Sequence, residues 1–234
     1  MLKSAHSHAI LDRSSRIIKA KKIVSVLRNY IDPKKSTILD IGTGSGHIPQ
    51  YLSKSFKSVY STDLNDERFV KNGYTFKRAK DEHLNFKSDT FDAVVSNHVI
   101  EHVPNQKLHI SEIHRVLKKG GVLYLATPNK FWLTDPHYKL PFISWLPRKL
   151  SEFYLKVLLR KKWDIFPQSL ADIKRFSKRK FEIHNATIDI IKYPEKYNLD
   201  TFKVIQPIVK IVPYSFMKMF DFALPTLILV LKKI

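Results

Sequence analysis

Three features of the chain predict an α/β fold: short apolar strands alternate with amphipathic helices, a glycine-rich turn follows directly on the first strand, and this alternation suits parallel pairing through right-handed crossovers. Together they predict a doubly wound, mostly parallel sheet of seven strands.

Each element has its own signal. From Leu11 to Asn29, Ile17, Ile18, Ile23, Val24 and Leu27 recur at helical spacing until Asp32-Pro33 stops them. Residues 37–41 read as the first strand, running into the glycines, with a helix near 48–56. A second strand at 58–62 ends at Asp63, a helix is expected over 66–72, and a third strand lies around 74–78. The fourth strand is Phe91-Asp-Ala-Val-Val-Ser, and a helix over 106–118, closed by Gly120-Gly121, leads to a fifth strand at 122–126.

After Thr127-Pro128 the rhythm breaks, and 129–166, rich in Trp, Pro, Lys and Arg without a clean period, reads as an insertion. A helix near 168–178, a strand near 181–190, a mixed segment over 192–221 and a final strand at 226–231 complete one domain over 1–234. Within it, 1–35 is a leading helical segment, 36–128 the ligand-binding core, and 129–166 and 192–221 are insertions suited to substrate or membrane recognition.

Composition narrows the chemistry. The absence of cysteine excludes disulfides, thiolate metal sites and a cysteine nucleophile. The first sixteen residues lack an apolar core followed by a cleavage site, so no secretory signal is expected. The longest apolar run, 222–231, is about half of the ~20 residues a spanning helix needs. The expected location is the cytoplasm, either free or peripheral at the inner face of the membrane. A formal net charge of +20 demands a surface attractive to phosphates, anionic lipid or acidic substrates.

The string Leu39-Asp40-Ile41-Gly42-Thr43-Gly44-Ser45-Gly46 puts three glycines at alternate positions after a strand, where a ligand can approach bare backbone. A dinucleotide site would space them G-x-G-x-x-G and aim a helix at a pyrophosphate. Here Asp40 at the loop's start would repel a pyrophosphate but attract an α-ammonium, a group that S-adenosylmethionine carries. Asp63, ending the second strand beside this loop, can accept from both hydroxyls of a ribose; alternatively it only caps the segment that follows.

These strings, with Phe91-Asp-Ala-Val-Val-Ser-Asn-His-Val-Ile-Glu-His-Val and Glu112-Ile-His-Arg-Val-Leu-Lys-Lys-Gly-Gly-Val-Leu-Tyr-Leu-Ala-Thr-Pro-Asn, resemble the class I, Rossmann-like methyltransferases, particularly the quinone-biosynthesis O-methyltransferase branch, over about 36–129. The resemblance implies an antiparallel final strand, S-adenosyl-L-methionine as cofactor, and a cofactor-binding set of Asp40, Gly42, Thr43, Gly44, Ser45, Gly46, Asp63, Leu64, Lys80, Asp81, Glu82, Asn97 and His98. Many relatives have Gly-Asp-Ala-Glu before Leu-Pro-Phe; here Ala79-Lys80-Asp81-Glu82 precedes Leu84-Asn85-Phe86, which removes the adenine-contacting acid or shifts it to Asp81.

His98, Glu101 and His102, following the fourth strand, are the candidate catalytic residues. A histidine near its ordinary pKa can take a proton from a hydroxyl while Glu101 orients it; in the bland alternative Glu101-His102 only braces the loop before Pro104. Some quinone-pathway relatives bind a divalent ion through this segment, and His98, Glu101 and His102 could ligate one, although His98 stands where that pattern has an acid. His109 and His114 read as packing or surface residues.

The 129–166 insertion carries all three tryptophans and should overhang the methyl donor. Its cationic and apolar mixture suits a small-molecule or lipid-linked acceptor, such as a glycan carrier or isoprenoid ring, and an anionic membrane surface. Two readings compete with O-methylation. RNA methylation would use the basic charge, but the Asn/Asp-Pro-Pro-Tyr/Phe signature of base-amino methylation is missing after the fourth strand, where Ser96-Asn97-His98-Val99 stands. A cofactor-free basic adaptor would have no use for Asp40, the glycines and Asp63.

Overall fold

In a computed structural model describing residues 13–80, 83–199, 206–221 and 224–234, seven strands form one sheet. They are β1 (Thr37–Ile41), β2 (Ser58–Asp63), β3 (Thr75–Arg78), β4 (Phe91–Asn97), β5 (Leu117–Pro128), β6 (Phe181–Asn185) and β7 (Thr226–Lys233), in the order β3-β2-β1-β4-β5-β7-β6. β1 to β5 pair in parallel, while β7 runs antiparallel to both β5 and β6. The expected fold class therefore holds, including the antiparallel final strand.

Strand side chains alternate between faces, so a sheet covered on both sides needs nearly continuous apolar strands. Ile38, Ala93, Val95, Tyr124 and Val230 enter one core with α1 (Arg13–Leu27), α2 (His47–Leu52) and α6 (Thr187–Lys192). Their neighbours Leu39, Val94, Leu123, Leu125 and Leu229 enter the other, against α3 (Gln106–Val116) and α5 (Leu170–Ser177). Of the apolar residues expected on the inner face of α1, Ile23, Val24 and Leu27 are buried and Ile18 is exposed.

Four local expectations are corrected. Residues 66–72 are not helical: Asp66 binds Arg68 through both oxygens, and the Phe69 and Val70 N–H groups donate to Ser45 O instead of to a helix. α3 ends at Val116, not at the glycines, because buried Leu117 already pairs with Phe91. Lys118 to Gly121 then stand opposite the single residue Asp92, a register shift after which Ala93 pairs with Val122. The strand read over 181–190 stops at Asn185, whose Oδ1 accepts from Thr187 N and turns the chain into α6; the isoleucines beyond lie on a helix. The helix near 48–56 is shorter, ending at Leu52.

The first insertion holds α4 (Arg148–Leu159) above a small separate core of Ile143, Leu155, Trp163 and Ile165. The second holds α7 (Gln206–Ile211) and α8 (Tyr214–Met219). The first insertion leaves the sheet at Pro128, opposite Thr226 where the second rejoins it, while the second also reaches the C-terminal part of α1 through Asn198 Nδ2, which donates to Ser25 Oγ.

Candidate active site

The strand order reverses between β1 and β4, the place where open α/β sheets bind ligands. A cleft of about 1390 Å³ opens there, reaching from the glycine turn across the end of β4 to the first insertion. Two glycines explain the turn. At Gly46 (φ +83°) a Cβ would run into the Val70 carbonyl oxygen, so the turn can be closed only by glycine. At Gly44 (φ +49°) a Cβ would meet nothing within 4 Å, so its bare face is open to the cleft.

The Gly44 N–H donates to Asp63 Oδ2 at 2.9 Å, which fixes that carboxylate at the cleft wall and leaves Oδ1 for a ligand. Behind the turn, the Thr43 and Ser61 hydroxyls share a hydrogen bond of 2.5 Å. Ser45 O receives the two N–H groups of the 66–72 loop. Thr43 and Ser45 are buried, so their side chains support the loop from within.

Asp40 is only 2% exposed and accepts from Ser61 Oγ at 3.1 Å. Burial pushes its carboxyl up to about 8, the Ser61 bond opposes that, nearby Asp63 adds to it and Arg16 lowers it again. Arg16, on α1, lines the cleft with Lys19; burial depresses both cations, while Asp40 supports the charge on Arg16 and Glu101 that on Lys19. A guanidinium and an acid on the cleft wall, Arg16 and Asp63, with the buried acid Asp40 close behind it, suit an amino-acid nucleoside: carboxylate to Arg16, hydroxyls to Asp63 and ammonium toward Asp40.

At the end of β4, His98 adopts φ +58° and lies on the cleft wall, with Nδ1 3.3 Å from Glu101 Oε1. Glu101 is 1% exposed, and its Oε2 accepts from Thr127 Oγ1 at 3.1 Å. Burial works against its charge, but the His98 contact and then His102 outweigh that and hold it below the usual carboxylate range. Its backbone is tied to the first insertion, since Phe166 N donates to Glu101 O.

The other imidazoles sort differently. His102 packs edge-on against His137 of the first insertion, with ring centroids 5.2 Å apart. Ligand atoms of Glu101, His102 and His137 lie within 4.8 Å of one another, a carboxylate and two imidazoles able to hold a divalent transition metal. Of the three residues that the sequence offered as possible ligands, Glu101 and His102 are in this group, and His137 stands in place of His98. His109 is buried beside Ser96 Oγ, and burial takes it down to about 4, so it is a neutral packing histidine.

Of the expected cofactor residues, Gly42, Gly44, Asp63, Leu64, Lys80, Asn97 and His98 line the cleft, as does His102 of the catalytic set. Asp40, Thr43, Ser45 and Gly46 form the layer behind the cleft wall, Glu101 is buried next to His98, and Asp81 and Glu82 lie outside the described residues. Reading along the chain missed Arg16 and Lys19; it expected the 129–166 insertion over the cleft, where Trp132, His137 and Tyr138 lie on the wall, but gave His137 no role of its own. For Arg16 and Lys19 a signal existed: their i, i+3 spacing gives α1 a basic edge near its start. Nothing local marked His137.

Fold and site together are those of an α/β domain with a cleft suited to a nucleoside that carries an amino-acid head group. The chain belongs to the methyltransferase-domain family, whose model matches residues 13–182. It is 34% identical over 110 residues to the mitochondrial ubiquinone biosynthesis O-methyltransferase of Rattus norvegicus, a match covering 42% of this chain and 32% of that protein. It is 33% identical over 101 residues to the malonyl-[acyl-carrier protein] O-methyltransferase of Hamiltonella defensa, covering 41% and 39%. These matches thus span only about a third of each relative's length. Among solved structures, an S-adenosylmethionine-dependent methyltransferase from Mesorhizobium loti superposes with a TM-score of 0.58 at 16% identity, covering 92% of this chain and 99% of that one.

Proposed function

We propose that the protein transfers a methyl group from S-adenosyl-L-methionine to an oxygen of a lipid-linked, glycan or quinone-type acceptor. The observation that carries this reading is one continuous cleft that joins the Asp63-bonded glycine turn to the His98–Glu101 pair. The residues present fit the cofactor, because Gly44 offers bare backbone and Asp40, Arg16 and Asp63 match its ammonium, carboxylate and ribose. When bound, it supplies an electrophilic methyl on a sulfonium. The chain's own residues orient it and manage the acceptor's proton.

His98 is the proposed general base. With Nδ1 held toward Glu101, its Nε2 is the accepting nitrogen, and the buried carboxylate stabilises the imidazolium that forms. Removing the hydroxyl proton makes the oxygen nucleophilic as the methyl arrives, a step that a neutral amine acceptor would not need. The O-methyltransferase relatives support oxygen over nitrogen. Glu101, His102 and His137 could hold a metal that orients the acceptor oxygen.

The test is transfer of labelled methyl from S-adenosylmethionine to a cellular extract divided into lipid, glycan and nucleic-acid fractions. Label on oxygen in the lipid or glycan fraction is expected; label only in RNA, or on nitrogen, contradicts the proposal. His98→Ala should lower turnover by about a hundredfold or more with cofactor binding kept. Undiminished turnover would take His98 out of the mechanism.

A further inference from the structure

We propose that α4 and the loop leading into it are a docking face for an anionic lipid bilayer. A helix on a globular surface ordinarily turns its apolar side inward. α4 does the reverse: only Ser151 and Leu155 are buried, while Leu150, Phe153, Val157 and Leu158 are all more than half exposed. Phe142 and Trp145, just before the helix, extend the apolar surface.

This face is built rigidly. Ser151 Oγ donates to Ile143 O, Leu155 packs into the small core beneath, and Arg148 donates to Trp163 O while stacking on Phe166 at 4.4 Å. Outward exposure of the apolar residues is therefore a property of the packed insertion.

Charge selects the occupant. Between Lys139 and Lys162 the chain has seven Lys and Arg residues but one acid, Glu152, which is paired with Arg148. A second copy of this chain would bring the same positive excess against it, and a neutral apolar partner would leave the cations unused. An anionic bilayer satisfies both parts, since headgroups attract the lysines while aromatic and aliphatic side chains enter the interface. The same insertion lines the cleft through Trp132, Tyr138 and Lys161, so docking would set the cleft's opening beside the lipid surface. None of this depends on methyl transfer or on which acceptor is used.

Flotation with vesicles of phosphatidylcholine alone, and of equal phosphatidylcholine and phosphatidylglycerol, tests the proposal at low and moderate salt. The wild type should float with the mixed vesicles and much less with the neutral ones. Phe153→Ser with Val157→Ser, and separately Lys149→Glu with Lys156→Glu, should each cut the bound fraction about tenfold. Unchanged thermal unfolding and S-adenosylhomocysteine binding would confirm that these variants are folded. No flotation by the wild type, equal flotation with neutral vesicles, or variants that float as well as wild type would each overturn the proposal. So would a wild-type dimer in sedimentation that the serine variant dissociates, because the face would then belong to a second copy.

Discussion

Gly44 and Gly46, two positions apart, show how a single Cβ can separate binding from folding. Gly44→Ala keeps a left-handed backbone that costs about 1 kcal/mol, but its methyl would stand in the open cleft. It should unfold only slightly earlier and bind S-adenosylhomocysteine far more weakly. Gly46→Ala puts its methyl into the Val70 backbone and should lose much more stability; comparing thermal unfolding of the two with and without ligand checks this. Tyr124 offers a contrast in the core: its hydroxyl is fully buried with no hydrogen-bond partner among the described residues, and burial raises its pKa. Tyr124→Phe should therefore be neutral or stabilise the protein by about 1 kcal/mol in denaturant unfolding. Asp40, Asp63 and the glycines could be read from their order, since all lie within 24 residues of one another beside two successive strands. That the basic edge of α1 turns Arg16 to the cleft, and that His137 joins Glu101 and His102, could not be read so, because both depend on tertiary packing.

Elements were legible where local pattern and packing agreed. All seven strands could be found in chain order because each is bounded by turn or charge signals; β3, with Phe76 as its one apolar residue, was marked by the alternation and not by an apolar run. The errors fell where a side chain diverted the backbone: Asp66 toward Arg68, Asn185 toward Thr187, and Leu117 into the sheet ahead of the glycines. α5 shows the agreement in one motif. Ser169 Oγ accepts from Asp172 N, and the Asp172 carboxylate accepts from Ser169 N, closing a capping box. Ser169→Ala should cost about 1 kcal/mol in unfolding free energy, and an unchanged midpoint would show that tertiary contacts alone hold this helix.

At the scale of the molecule, two buried groups shape the pH dependence. Asp40 is raised from 3.8 to about 8, so between those values the native state keeps a proton that the unfolded chain has lost, and stability falls as pH rises. His109 is lowered from 6.5 to about 4, so its contribution grows as pH rises through that span and is lost as pH falls through it. The two oppose each other up to about pH 6.5; above it Asp40 continues to act, and His137, whose burial is outweighed by Asp135 so that it sits above its ordinary value, adds to the same fall. The unliganded protein should thus lose stability from pH 6.5 to 8, Asp40→Asn should flatten that slope, and a wild-type profile rising over this window would refute the assignment. Because an ammonium needs the ionised carboxylate, ligand binding near neutral pH should also release a proton, visible as a dependence of binding heat on buffer.

The most direct test of the account is calorimetric titration with S-adenosylhomocysteine and with methylthioadenosine, which has the nucleoside but lacks the amino acid. The wild type should bind both, Asp63→Ala should weaken both, and Arg16→Gln should weaken S-adenosylhomocysteine by about tenfold or more while leaving methylthioadenosine unchanged. A wild-type protein that takes up neither compound would contradict the account at its root.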